Sequence, residues 1–137
     1  MQEFTMDVIA LIGRILFVLI FFNSGYGHLT KTAAMTGYAE AKRLPAARPA
    51  VIVSGIWMII GALLVLLGLW GDLGALMLFL FLVATAVIFH DFWRVDGEQR
   101  PNELIQFLKD IGLAGASLLI LAYYQTDPGL TITGPLF

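Results

Sequence analysis

The stretch Val51-Ile-Val-Ser-Gly-Ile-Trp-Met-Ile-Ile-Gly-Ala-Leu-Leu-Val-Leu-Leu-Gly-Leu-Trp-Gly71 runs 21 residues without a charge, and Leu73 to Phe89 runs 17 more. A hydrocarbon core of about 30 Å takes about 20 mostly apolar helical residues to cross. The two runs therefore predict two spans. The link Trp70-Gly71-Asp72-Leu73-Gly74 is a tight turn, which makes them antiparallel neighbours. Apolar character is continuous in both rather than alternating, so membrane β-strands are excluded.

Outward from this pair, two flanking segments read the same way. Val8 to Gly27 is apolar except for Arg14, and Leu104 to Tyr124 is apolar except for Gln106, Lys109 and Asp110. The expectation is an all-α, four-helix transmembrane bundle in one domain over 1–137, with spans at about 6–27, 49–70, 73–93 and 103–125. Asn102, with Pro101 just ahead of it, marks the start of the last helix. Thr30 to Leu44 predicts a short interfacial helix, with Met35, Tyr38 and Leu44 on one side and Glu40, Lys42 and Arg43 on the other, ending at Pro45. No Lys or Arg precedes the first apolar run and no small-x-small site follows it, so the first helix is expected to be retained. The apolar end, Leu130 to Phe137, is expected on the outer face of the bundle.

The composition agrees with this reading. Hydrophobic residues make up 59% of the 137 residues and charged residues 13%, against about 25% charged in a water-soluble globule. Mean hydropathy is +0.86. A disordered chain, a nucleic-acid-binding domain and an ordinary soluble enzyme are excluded. With a net charge of −2, no basic footprint for a polyphosphate exists. The absence of cysteine removes disulfides, thiolate metal sites, cysteine-held iron–sulfur clusters and thiol redox chemistry.

Lys and Arg placement predicts orientation. The N-terminus, the Gly71-Asp72 turn and the tail from Gln125 hold none, whereas the two loops on the other side hold Lys31, Lys42, Arg43, Arg48, Arg94 and Arg100. The positive-inside rule puts those loops in the cytoplasm and both termini outside, as in a bacterial inner membrane. Small residues suggest packing faces. Ser54, Gly61 and Gly68 fall seven apart on one seam, and Gly112, Gly115 and Ala116 form a patch on the fourth span. Those faces serve either intramolecular packing or another subunit. Trp57, Trp70, Trp93, Tyr123 and Tyr124 mostly suit aromatic belts near span ends.

Ionisable residues inside a span cost at least about 2.5 kcal/mol at mid-membrane and need a reason. Arg14 either pairs or snorkels toward the outer side for structure, or serves an anion or headgroup. The cytoplasmic side is richer. His28, Lys31, His90, Asp91, Trp93, Glu103, Lys109 and Asp110 occupy overlapping depths, and both histidines of the chain are among them. Such a layer serves structural ion pairing, a proton relay, or a quinone or lipid headgroup pocket built on His28, Lys31, His90, Trp93, Lys109 and Asp110. Metal binding has the right ligand types but no supporting spacing, so no metal is expected. Lys109 and Asp110 are adjacent, about 100° apart on a helix. Each is therefore expected to seek a partner on another helix, or water: His28, His90 or Lys31 for Asp110, and Asp91, Glu103 or a snorkel to the cytoplasmic surface for Lys109.

Several motifs carry a resemblance. They are Arg14-Ile-Leu-Phe17, Phe21-Phe-Asn-Ser-Gly-Tyr-Gly-His-Leu-Thr-Lys31, Gly37-Tyr-Ala-Glu-Ala-Lys-Arg-Leu-Pro45, the Gly61 and Gly68 pair, His90-Asp-Phe-Trp93 and Phe107-Leu-Lys-Asp-Ile-Gly-Leu-Ala-Gly115. In order and spacing, from about Arg14 to Ala122, they resemble the DoxX family of small four-helix membrane proteins. The family pattern would match Arg14, Gly25, Lys31, Pro45, Gly61, His90, Trp93 and Lys109. Two positions depart from it: Trp57 stands where many relatives carry Glu, and Asp110 where they usually carry Asn. The resemblance implies an accessory role in a membrane redox system, since the family takes its name from a small subunit associated with a terminal quinol oxidase.

Two function classes follow. One is an accessory subunit of a membrane electron-transfer complex, without activity of its own, contributing packing and lipid or quinone contacts to other subunits or to its own copies. The other is a stand-alone oxidoreductase, or a small-molecule or proton transporter, that uses the cytoplasmic polar layer. No covalently bound cofactor and no nucleic-acid partner is expected; quinone is the cofactor the layer suits.

Overall fold

The computed structural model describes residues 1–137, and its order of elements follows from where the apolar runs stop. Helix α1 is Gln2–Thr30, α2 is Thr32–Ala41, α3 is Ala47–Leu67, α4 is Gly71–Phe89 and α5 is Gln99–Tyr124, with a 3₁₀ turn at Phe92–Arg94 between the last two. All but α2 are long and apolar enough to cross a membrane. The expected all-α, four-helix transmembrane architecture is what the chain adopts, with α2 as the short helix foreseen in the first loop.

Two helix ends differ from the expected positions. Helix α5 starts at Gln99 rather than 103, so Pro101 lies inside its first turn. Proline is tolerated there because its missing N–H would have no helical partner anyway. Helix α4 itself ends at Phe89, and the 3₁₀ turn carries the third candidate span on to Arg94.

Helices α1 and α3, α3 and α4, and α4 and α5 pack as neighbours, and α2 lies against α3. Val18, Phe21, Met58, Ala62, Val65, Ala75, Leu78, Leu82 and Ala114 form the core. Large residues such as Leu16, Leu19, Ile105 and Leu119 face outward. In water that surface would be an aggregation hazard; in a bilayer it is the surface lipid solvates.

Glycines set the close crossings, but not as the seven-residue seam predicted. A Cβ on Gly25 would lie 3.0 Å from the Gly55 carbonyl oxygen, and one on Gly74 would lie 2.7 Å from the Gly61 carbonyl oxygen. So Gly25 and Gly55 let α1 approach α3, while Gly61 and Gly74 let α3 approach α4. Ser54 faces α1 instead. Gly68 lies beyond the helix as its left-handed C-cap, at φ 62°, the conformation glycine adopts without strain. Gly112 and Gly115 have open space where a Cβ would stand, and the buried small residues of α5 are Ala114 and Ser117.

The tail closes the end of the bundle that holds both termini. Ile132 N–H donates to the Leu67 and Gly68 carbonyls and Thr133 N–H to that of Gly68, satisfying acceptors that the end of α3 leaves unpaired. The Asp72 carboxylate accepts from the Leu136 and Phe137 amides at 2.9–3.1 Å, and Asp7 accepts from Gly129 N–H.

Beneath this strap, Arg14 is 2% exposed. It does not snorkel, and no carboxylate lies within ion-pair distance. Its Nη2 donates to the Leu130 carbonyl at 2.8 Å and its Nη1 to the Tyr124 hydroxyl at 3.1 Å. Tyr124 in turn donates to the Val65 carbonyl at 2.5 Å. Trp57 is not at a span end either: it stands mid-helix, and its indole N–H donates to the Met77 carbonyl on α4.

Candidate functional site: a chamber at the basic end

The loop-bearing, basic end of the bundle is hollow. A partly open cavity of about 340 Å³ lies among all five helices, within the roughly 300–1,000 Å³ typical of small-molecule sites. Its depth is apolar, with Ile20, Phe21, Met58 and Leu82 on the walls, and Met35, Tyr38 and Ala39 bring α2 over it. Helix α2 is held there by a small core of Ala39, Ala47 and Val51, with Met35, Leu44 and Phe89 packed against it. Tyr38 also stacks on Phe89 at 5.5 Å between ring centroids. The amphipathic pattern read in Thr30 to Leu44 is thus resolved: Met35 and Leu44 anchor the helix to the bundle.

Polar groups interrupt the apolar lining. His28, His90, Lys109 and Asp110, four of the six residues singled out from the sequence, line the same cavity. The other two do not. Lys31 is exposed at the start of α2. Trp93 packs on Phe92 and Phe107 and borders a separate surface groove. The reason is local geometry: α1 ends at Thr30, and the chain turns at Lys31 into α2, which carries Lys31 off the inner face.

Each polar side chain has an assigned neighbour. His28 Nδ1 lies 3.0 Å from Ser54 Oγ and 3.2 Å from the Val51 carbonyl oxygen. A carbonyl only accepts, so Nδ1 carries a proton; in the neutral ring Nε2 is then left as an acceptor. Ser54 was missed as part of this site. Its spacing from Gly61 suggested a packing seam, and only the α1–α3 crossing at Gly25 and Gly55 brings it under His28.

His90 stands between two carboxylates, with Nδ1 3.0 Å from Glu103 Oε2 and Nε2 3.7 Å from Asp110 Oδ2. Asp110 is 4% exposed. Asp110 meets His90 from outside its own helix, whereas Lys109 reaches neither Asp91 nor Glu103 and is partly exposed, the alternative of water or the surface. Its flexible stem folds back, placing Nζ 3.7 Å from Asp110 Oδ1 and within hydrogen-bonding reach of Gln106. Glu103, His90 and Asp110 form a chain of neighbours, of which His90 and Asp110 line the chamber, with groups that can hold or pass a proton. No group of three His, Asp or Glu side chains converges in the geometry a metal ion needs.

At the rim, Lys42 Nζ and Asp91 Oδ1 pair at 2.5 Å. Burial lowers the Lys42 pKa, but the hydrogen bond and charge of Asp91 outweigh it and hold the ammonium above its ordinary value. The pair ties α2 to the 3₁₀ turn.

Four membrane-crossing helices enclosing a polar-tipped apolar chamber define the class: a small integral membrane protein with a candidate site for an amphipathic ligand. The model of the DoxX family matches residues 9–91, and the chain belongs to that family. The match takes in Arg14, Gly25, Lys31, Pro45, Gly61 and His90 and stops before Trp93 and Lys109. The chain is similar to the inner membrane protein YphA of Escherichia coli (strain K12), with 30% identity over 128 residues that cover 93% of this chain and 84% of that protein. No solved structure matches it.

Proposed function

We propose that this DoxX-family protein is an inner-membrane accessory protein of an electron-transfer system, whose chamber receives the headgroup of a quinone. The observation that carries the reading is the chamber itself: apolar walls ending in His28, His90, Lys109 and Asp110. A quinone has the matching amphipathic form. Its carbonyls accept hydrogen bonds, for which Lys109 is a donor. The hydroxyls of a quinol donate, for which Asp110 and His28 Nε2 are acceptors. Apolar walls beside Phe81 suit the ring and the start of its tail.

Charge favours quinone over a phospholipid headgroup at this site. The chamber wall carries one lysine, Lys109, and one carboxylic acid, Asp110, and the two lie 3.7 Å apart. A phosphate would find no unpaired cation there, whereas a neutral ring needs none. The name of the similar protein supports an inner membrane, and the six basic residues of the two loops favour a cytoplasmic position for the chamber. Redox partnership rests on the family resemblance.

The test is purification from native membranes in mild detergent, with extraction of bound quinone and identification of co-purifying proteins. Quinone should be present in stoichiometric amount, and in a smaller amount in Asp110→Asn, together with a larger redox partner. A quinone-free preparation would overturn the ligand, and a lone oligomer with its own turnover would overturn the accessory role.

A further inference from the structure

A second concavity opens on the surface at the basic end, separate from the chamber. It measures about 660 Å³ and runs between the end of α2 (Ala41, Lys42, Arg43), the last turn of α4 (Val87, Ile88) and the turn Asp91, Trp93, Arg94, Val95. Ile88 is the only residue it shares with the chamber.

Its charges are unevenly matched. Asp91 is the sole acid on the groove, and Lys42 takes it at 2.5 Å. Arg43 and Arg94 therefore face the groove with no carboxylate within ion-pair distance. Arg43 also occupies a left-handed backbone conformation, φ 59°, which costs a non-glycine residue about 1 kcal/mol. The sequence keeps an arginine at a position where the backbone would favour glycine.

The remaining walls are apolar and open to lipid. Val87 is 52% exposed and Ile88 39%, on the flank of a membrane-crossing helix. Trp93, 48% exposed, stands at the rim, where indoles sit at a membrane interface. Two unpaired guanidinium groups at headgroup level, above an apolar wall that continues into the hydrocarbon, complement one ligand chemistry: a phosphodiester joined to acyl chains.

We infer that the groove between α2 and the 3₁₀ turn binds an anionic phospholipid, with its phosphate between Arg43 and Arg94 and an acyl chain along Val87 and Ile88. The Lys42–Asp91 pair acts as the positioning element, because it holds α2 against the turn and leaves both arginines free. The site is independent of quinone binding in the chamber.

The test is native mass spectrometry of the protein released from mixed phosphatidylglycerol and phosphatidylcholine nanodiscs with identical acyl chains. Each basic group near a membrane surface contributes about 1 kcal/mol toward an anionic lipid, so two arginines should give a preference of roughly thirty-fold for retained phosphatidylglycerol. Arg43→Gln with Arg94→Gln should abolish the preference, and Arg43→Lys with Arg94→Lys should keep part of it. The control pair Arg48→Gln with Arg100→Gln removes the same charge from exposed residues at the same end and should leave the preference intact. Equal losses in the two Gln pairs would overturn the site in favour of a diffuse basic surface, as would no preference in the natural protein. Displacement of the retained lipid by millimolar inorganic phosphate would overturn the lipid in favour of a soluble phosphate. A melting temperature within error of the natural protein's confirms that each variant is folded.

Discussion

Replacing Tyr124 by Phe should be among the most damaging conservative changes in this protein. The hydroxyl is 1% exposed along with its ring, and it makes two bonds: it accepts from Arg14 Nη1 at 3.1 Å and donates to the Val65 carbonyl at 2.5 Å. Deleting it strands both. A hydrogen bond to a charged group contributes about 1.5–3 kcal/mol in soluble proteins, whereas interhelical bonds within membranes average about 0.6 kcal/mol and reach about 1.7. The membrane figures apply to the Val65 bond. The charged figure applies to Arg14, which has no carboxylate to fall back on. Together they predict a loss of about 2–3 kcal/mol for Tyr124→Phe. Arg14→Met removes the buried charge itself and leaves the Tyr124–Val65 bond in place, so it should cost about 1 kcal/mol or less. In the Arg14→Met background nothing charged remains to be stranded, and Tyr124→Phe should then cost about 1–2 kcal/mol less than it does alone. Reversible unfolding in mixed micelles, followed by circular dichroism, measures all four corners of this cycle. Additive effects, or a Tyr124→Phe protein within about 0.5 kcal/mol of the natural one, would refute the view that Arg14 is a buried, tyrosine-held cation beneath the strap.

Three further outcomes follow from the packing and the charges. Gly74→Ala forces a Cβ to 2.7 Å from the Gly61 oxygen and from Leu64 Cβ, and should lower stability by about 1–3 kcal/mol; Gly115→Ala meets open space and should leave the same micelle unfolding curve unchanged or shifted toward higher stability. Asp110→Leu removes the carboxylate beside His90 and Lys109 and should cost roughly 3 kcal/mol, with Asp110→Asn costing less; equal losses in thermal unfolding would mean that the carboxylate shape carries no weight. A reporter active only in the cytoplasm, fused after Phe137, should stay silent, and a strong signal would reverse the proposed orientation.

The crossing helices were readable because length and hydropathy act on whole segments, and the chain offered continuous apolar runs on either side of Gly71-Asp72. Contacts between helices were less readable. Gly68 kept the seven-residue spacing of a seam, yet a glycine serves equally as a helix C-cap, and the strap at Thr131 to Thr133 decides for the cap. Gly112 and Gly115 resemble a packing patch, but a small residue facing lipid leaves no mark in a sequence. Of the chamber, the layer of His28, His90, Lys109 and Asp110 was legible by depth alone. Depth does not give azimuth, so Lys31 and Trp93 were drawn into the layer although the chain turns them away. Ser54 was passed over because the glycine crossing that presents it to His28 involves two helices read separately. Arg14 was legible as costly, but its partners, a tyrosine and a strap carbonyl more than 100 positions away, were not.

Site-mapped photolabelling would show whether the chamber at the basic end receives a quinone headgroup, as proposed. A quinone bearing a photoreactive group on its ring, activated in membranes and followed by peptide mass spectrometry, should label residues of the chamber wall such as Met58, Phe81 and Leu113. Excess unlabelled quinone should compete the labelling away, and Asp110→Asn should weaken it. Labelling confined to outward-facing residues such as Leu16, Leu19 and Leu119, and indifferent to competitor, would contradict the claim.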